Sequence, residues 1–320
     1  MAIADIHQDI IKTHILTRLD GQTLSAAACV SLQLQSLCSD DKLWSGICSA
    51  NWPSTDDPLV RQAISNFPSG HRSFFSDSYP FPSHRLTTTT TSPSAPTSQI
   101  ISAVDLRYHD ELVFSKVEST NITHSDWFRS SPFRIDLLEP KELVPSAVKF
   151  SGDDHVMQSN LEKHMTLSWI LIDPIQHRAV NLSSIKPVSV HRNWLTDDIE
   201  LTFAVVTATY VKCNIEMTCG VKEGSGEVYV SGVSLTVQDV DGKCLNGKDS
   251  MVILQGLAVA QRRSRKHSGG GEEERDRYKE YIQRRRERDE KTERRERRLD
   301  MACVVSGVAF FVAFWSFALF

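Results

Sequence analysis

Polar and apolar positions alternate most regularly over residues 211–221, where Val211, Cys213, Ile215, Met217, Cys219 and Val221 take turns with Lys212, Asn214, Glu216, Thr218 and Gly220. Successive side chains of a strand point to opposite faces, so the pattern predicts a strand with the first set in a core and the second in water. Residues 222–226 supply a turn, and a second alternating run follows in which Tyr229, Val233, Leu235 and Val237 share a face. Asp241-Gly242 is a hairpin signal. Residues 165–173 and 200–210 are further strand candidates, and strand signals dominate from residue 100 to about 260. Several strands with turns and little helix between them predict an antiparallel sandwich.

The amino-terminal stretch has a different period. Ile11, Ile15 and Leu19 recur every four residues beside Leu16, which builds one apolar face of a helix. Asp20-Gly21 is expected to stop it, Thr23 to cap a second helix over residues 24–37, and Asp40-Asp41-Lys42-Leu43-Trp44 to open a third. Helices this short are not stable alone and must pack on one another or on a partner. Residues 53–79 are mixed, and residues 80–98, with Thr87 to Thr91 and scattered prolines, read as a disordered loop.

The carboxyl-terminal part is charged and then wholly apolar. Residues 272–299 hold twelve Lys/Arg and ten Asp/Glu, and Glu280/Arg284, Glu287/Lys291, Glu290/Arg294 and Glu293/Arg297 stand four apart with the acid first, the stabilising order. With almost nothing apolar to bury, this predicts a solvated stalk helix, hinged at Gly269-Gly270-Gly271. Residues 301–320 carry no charge and would span about 30 Å as a helix, the thickness of a bilayer's hydrocarbon core. Five Phe, four Val and Leu319 within it favour insertion by about 3 to 6 kcal/mol. The expectation is a single-pass tail anchor, with residues 1–300 in the cytosol and no secretory signal at the amino end. Nine basic against five acidic residues over 284–298 give a local excess that suits the cytoplasmic face and its anionic lipids.

Composition narrows the chemistry. The net charge of −4 over 320 residues gives no field for nucleic acid, and the basic run 262–266 lacks an aromatic platform, so no nucleic-acid partner is expected. Seven cysteines, an odd set without a CxxC pair, read as cytosolic thiols. Gly224-Ser225-Gly226 lies in a hairpin rather than before a helix, His155 and His164 lack metal-site spacing, and there is no GxSxG elbow. No catalytic residue, metal or cofactor is therefore expected. Trp169 and Trp194 are expected as core or sandwich-edge aromatics.

The amino-terminal residues resemble an F-box. Ile15-Leu16-Thr17-Arg18-Leu19, Thr23-Leu24, Cys29, Leu37, Asp40 and Leu43-Trp44 fit its ordered pattern. Ile6-His7 replaces the usual Leu-Pro, and Leu34 stands where a Trp is common. Residues 169–174 followed by 178–183 are similar to a small group of plant F-box proteins, some of which carry a hydrophobic tail. The resemblance implies an α+β chain: a three-helix F-box (1–52), a connecting region (53–99), a β-rich substrate-binding domain (100–260), a charged linker and stalk (261–300) and a transmembrane tail (301–320). It further implies a non-catalytic substrate receptor that docks a Skp-type adaptor of a cullin–RING ubiquitin ligase. Adaptor contacts would fall on Ile10, Ile11, Ile15, Leu16, Leu19, Leu43 and Trp44. The competing expectation, a tail-anchored lectin-like binding module without a ligase role, shares every part except a working F-box.

Overall fold

The computed structural model describes residues 7–79, 81–82, 98–122, 125–149, 154–222, 224–260, 262–263 and 272–319. Ile6, nearly all of the expected disordered loop, Glu223 of the hairpin turn, residues 264–266 of the basic run, the glycine hinge and Phe320 lie outside them. The chain is α+β, with helices gathered at the amino end, antiparallel sheets in the middle and one long helix at the carboxyl end.

The first helix, α1 (Gln8–Ile10), runs on through a π turn (Ile11–Ile15) and a 3-10 turn (Leu16–Arg18). Asp20 does not simply end it: its carboxylate accepts from the Thr23 amide at 2.7 Å and so caps α2 (Gly21–Ala27). The single second helix expected over 24–37 is two helices, because the Ser31 hydroxyl accepts from the Leu34 amide at 3.2 Å and restarts the chain as α3 (Leu32–Cys38). Asp40 caps α4 (Asp41–Asn51) as its position predicted. The mixed stretch that follows folds into a 3-10 turn (Pro53–Asp56), α5 (Pro58–Ser65) and α6 (Gly70–Ser78).

Strand β1 (Phe81–Pro82) pairs with β12 (Arg262–Arg263). A four-stranded sheet has the order β3 (Glu111–Asn121), β2 (Gln99–Tyr108), β6 (Met165–Asp173), β7 (Arg178–Asn181). A six-stranded sheet runs β4 (Arg134–Asp136), β11 (Glu227–Gln238), β10 (Lys212–Val221), β9 (Ile199–Val206), β8 (Ser189–Arg192), with β5 (Val144–Lys149) also on β11. Helices α7 (Asp126–Ser130), α8 (Asp154–His164) and α9 (Gly247–Val259) lie within the stretch where strand signals dominate and little helix was expected. Alternation in α9 was no guide, because its core positions Met251, Leu254, Leu257 and Ala258 follow helical spacing.

Consecutive residues of the four-stranded sheet serve two different cores. Ile100, Val104, Leu106, Leu167, Trp169 and Val180 join the six-stranded sheet's Leu201, Phe203, Ile215 and Leu235 in one cluster. Ile101, Ala103, Ile170, Ile172 and Ala179 join the amino-terminal helices in the other. Strands β2, β6 and β7 are thus buried on both faces, with the helical layer on one side and the second sheet on the other, while edge strand β3 stays partly exposed. Two carboxylates fix the helical layer in place. Asp105, 1% exposed, accepts from the Ser54 amide (2.9 Å), the Ser54 hydroxyl (2.5 Å) and the Ser115 hydroxyl (2.7 Å). Burial raises its pKa against these bonds. Asp77 pairs with Arg178 at 3.0 Å and accepts from the Ala179 amide at 3.2 Å.

Strand β10 buries Cys213, Ile215, Met217 and Cys219 as predicted. Its partner departs from the expected pattern. A bulge opposite Thr218 and Cys219 shifts the register, so Val228 and Val230 face the core and Tyr229 turns outward onto Gly220. Trp169 is fully buried, whereas Trp194 is 91% exposed at the β8–β9 turn and is not a core aromatic.

The stalk and tail are one continuous helix, α10 (Glu272–Leu319), 48 residues and about 72 Å long. Its first turns are not free in solvent. Arg275 donates to the Pro187 carbonyl at 3.1 Å and pairs with Glu162 at 2.9 Å. Tyr281 is fully buried and donates to the Asp239 carbonyl at 2.6 Å, and Arg288 meets Asp241 at 2.9 Å. The Asp241-Gly242 turn is therefore a seat for this helix, and a Cβ on Gly242 would fall 2.5 Å from the Arg285 guanidinium carbon. From residue 286 to 319 every residue of the helix is exposed.

Docking also buries Lys212, expected in water, beneath the rings of Tyr278 (5.5 Å) and Tyr281 (5.2 Å). Desolvation lowers its pKa from 10.5 to about 8. Above about pH 8 the unfolded state therefore holds a proton on this lysine that the folded state has lost, and the lysine's contribution to stability rises with pH. The Tyr281 phenol, pushed up to about 12 by burial, acts in the opposite direction only at higher pH. Between pH 7.5 and 9.5 the lysine's own contribution is expected to grow by about 2 kcal/mol, set against the opposite contribution of the buried thiols Cys48, Cys213 and Cys219, which burial raises to about 12. Melts of the protein and of Lys212→Met at both pH values test this: the stability difference between the two should shift by about 2 kcal/mol in favour of the unaltered protein, and an unchanged difference would clear Lys212 of any role in the pH dependence.

Candidate functional site

The helical layer is assembled from within. Trp44 is 1% exposed; its indole N–H donates to the Cys38 carbonyl at 2.7 Å and its ring lies 5.4 Å from that of Phe75. Phe75 in turn stacks on Tyr79 at 4.8 Å and presses on Gly21, where a Cβ would meet its ring at 2.1 Å. Lys12 pairs with Asp40, joining the first helix to the cap of α4. This hydrogen bond and that from the Lys42 amide hold the Asp40 carboxyl below the usual carboxylate range.

The structure divides the expected adaptor residues. Ile11, Leu16, Leu43 and Trp44 are buried in the helical core, and Leu19 packs half-buried against it. The four buried side chains hold the helices to one another and present no free surface to a partner. Ile15, expected on one face with Ile11 and Leu19, is instead 43% exposed, because the π turn over Ile11–Ile15 and the 3-10 turn after it break the helical period, and Ile10 is 50% exposed. Leu34, standing where a Trp is common, is buried and fills a core position. Sequence analysis missed two exposed apolar residues, Val30 (71%) and Leu32 (83%), at the turn between α2 and α3. The signal for them was Ser31, a cap residue between two apolar ones, which a single helix over 24–37 concealed.

Among the described residues, no group of three or more His, Cys, Asp and Glu is placed to hold a metal ion. Burial pushes the thiols of Cys48, Cys213 and Cys219 up to about 12, which keeps them protonated and unreactive.

The helical module shares one hydrophobic core with a face of the four-stranded sheet. The F-box-like family model matches residues 11–50. F-box protein At2g27310 of Arabidopsis thaliana is 46% identical, over 99% of this chain and 96% of its own length. F-box protein At3g44326 of the same plant is 44% identical, over 87% of this chain and 79% of its own. Probable F-box protein At2g36090, also from Arabidopsis thaliana, is 41% identical over 99% and 93%. No solved structure matches the chain. The chain belongs to the plant F-box proteins, whose general role is that of substrate adaptor in a ubiquitin ligase.

Proposed function

We propose that this protein is the substrate receptor of an SCF-type ubiquitin ligase, docking a Skp-type adaptor through its F-box and held on a membrane by the apolar end of α10. The observation that carries the reading is the pair Ile10 and Ile15, exposed on a helix whose Ile11 and Leu16 are locked in the core. Ile10 and Ile15, with Val30 and Leu32, make the adaptor contact, while Ile11, Leu16, Leu19, Leu43 and Trp44 hold that surface in shape. A single apolar cluster drawing on both sheets supports the sandwich reading of the substrate-binding body, residues 100–260. Residues 53–99 join it to the F-box at 1–52, and the segments 261–300 and 301–320 are stalk and anchor. Such a receptor makes and breaks no bonds. It raises the local concentration of substrate beside the ligase's catalytic subunits.

Support for the membrane comes from α10, long and apolar enough at its far end to cross a bilayer, with none of that window buried against the body. The basic excess over 284–298 then lies on the cytosolic side, next to the headgroups.

Adaptor capture tests the reading directly. The double variant Ile10→Lys, Ile15→Lys places two charges in an apolar interface, and capture of a Skp-type adaptor is expected to fall at least a hundredfold. Both side chains are half exposed, so the melting temperature should stay within about 2 °C. Undiminished capture by the variant, or no capture by the unaltered protein, would overturn the adaptor role.

A further inference from the structure

The outer face of the six-stranded sheet, turned away from the F-box layer, carries a groove. Glu216, Thr218 and Gly220 of β10 lie beside Ser234, Gly232 and Tyr229 of β11 on this face. A cavity of about 480 Å³ occupies its polar half, lined by Glu216, Thr218, Gly232, Ser234, Glu139 and Lys141, with the Arg134–Asp136 pair at one side. A second cavity of about 460 Å³ lies further along, lined by Leu143, Pro145, Val228 and Tyr229 with Lys222 and Glu227. Clefts of this size suit side chains of a bound segment.

The two glycines of the groove have different reasons. Gly220 is covered by Tyr229, whose ring carbon Cζ would stand 2.2 Å from a Cβ there. Gly232 has no such neighbour. Its backbone is not in the left-handed region, and a Cβ would touch only Thr218, at 3.7 and 3.8 Å. Gly232 adjoins the bulge, where glycine is common, and any larger side chain there would also stand in the polar cavity. Glycine inside a strand marks a bulge or a close approach by another chain or ligand, and the open cavity over Gly232 leaves room for such an approach.

Charge specifies the visitor. Arg134 is already held by both carboxylate oxygens of Asp136, at 2.8 and 3.0 Å, and Glu227 by Lys149 at 3.1 Å. Glu216 is exposed on the floor and accepts from the Asn214 amide at 2.6 Å; it feels the charge of Lys212 on the same face but makes no direct ion pair among the described residues. With Glu139 it outweighs Lys141 in the polar half. From Glu216 to Gly220 is four strand residues, about 13 Å, which an extended peptide also covers in four.

We propose that this groove binds an extended segment of the substrate protein, seating a lysine or arginine on Glu216 and an apolar side chain, four positions along, beside Tyr229, Leu143 and Pro145. The proposal rests on the receptor reading for the source of the segment, and the groove itself binds peptide whether or not the adaptor docks. The bulge and the Tyr229–Gly220 contact hold the site rigid in advance, which lowers the entropic cost of binding.

The probe is a dye-labelled peptide with lysine and leucine four positions apart in a serine–threonine background, in either order, read by fluorescence anisotropy against the full chain in nonionic detergent. Saturable binding, weakened by added salt, is expected. Glu216→Arg should weaken it at least tenfold, and Gly232→Leu should abolish it without lowering the melting temperature. A peptide with glutamate for lysine should not bind. Equal binding by the glutamate peptide, unaltered binding by either variant, or no saturation by either order up to about 1 mM would each overturn the proposal. Adaptor capture is measured on the same samples: capture without peptide binding sinks the groove alone, and peptide binding without capture sinks the receptor reading alone.

Discussion

Replacing Val308 and Phe311 by arginine is expected to move the protein from the membrane pellet to the soluble fraction. Both residues lie in the exposed apolar end of α10, 58% and 65% accessible, and neither touches the folded body. An arginine near the centre of a span costs about 2.5 to 3.5 kcal/mol, so the pair costs roughly 5 to 7, as much as the run's large apolar side chains contribute. Partitioning should shift by about four orders of magnitude. The change leaves both hydrophobic cores intact, so adaptor capture should persist in the released protein. Fractionation with an alkaline wash is the measurement, and retention of the double variant in the pellet would refute the anchor.

Trp44→Ala is expected to lower stability by about 3 to 5 kcal/mol and to abolish adaptor capture through that loss. The substitution removes a fully buried ring, leaves a cavity against Phe75, and strips the Cys38 carbonyl of its donor. Trp44→Phe keeps most of the volume and should cost about 1 to 3 kcal/mol, chiefly for the unpaired carbonyl. A parallel fall in melting temperature and capture marks Trp44 as a supporting residue. The Ile10 and Ile15 substitutions instead remove capture without moving the melt. Loss of capture by Trp44→Ala at an unchanged melting temperature would return Trp44 to the interface itself.

The same pair of experiments exposes how apolar residues are read from a sequence. A repeating stripe on a short helix announces that one side is buried, and Ile11, Leu16, Leu43 and Trp44 are indeed buried. It does not say whether the burial is against the chain's own core or against a partner. Here the extra helices α5 and α6 supply that core, through Phe74, Phe75 and Ile64, and they arise from a stretch with no regular pattern. Ile15, a member of that stripe, remains accessible because the π turn breaks the helical period, as do Ile10, Val30 and Leu32 outside it.

The sequence by itself determined whatever depends on neighbours along the chain: the β10 strand by its period of two, the α4 cap by Asp40, the F-box pattern by its ordered residues, and the length of apolar helix at the end. Tertiary structure alone decided what depends on residues far apart. Lys212 and Asn214 look solvent-facing in β10 and are buried, Lys212 because Tyr278 and Tyr281, some seventy positions on, lie over it. Tyr229 reversed its face because one extra residue in β11 shifts every side chain before it by one step. The F-box and the β body became neighbours because strand β2 offers apolar residues on both faces, Ile101 and Ala103 to the helices, Ile100 and Val104 to the second sheet. Local pattern sets which residues avoid water, and only the folded arrangement sets what covers them.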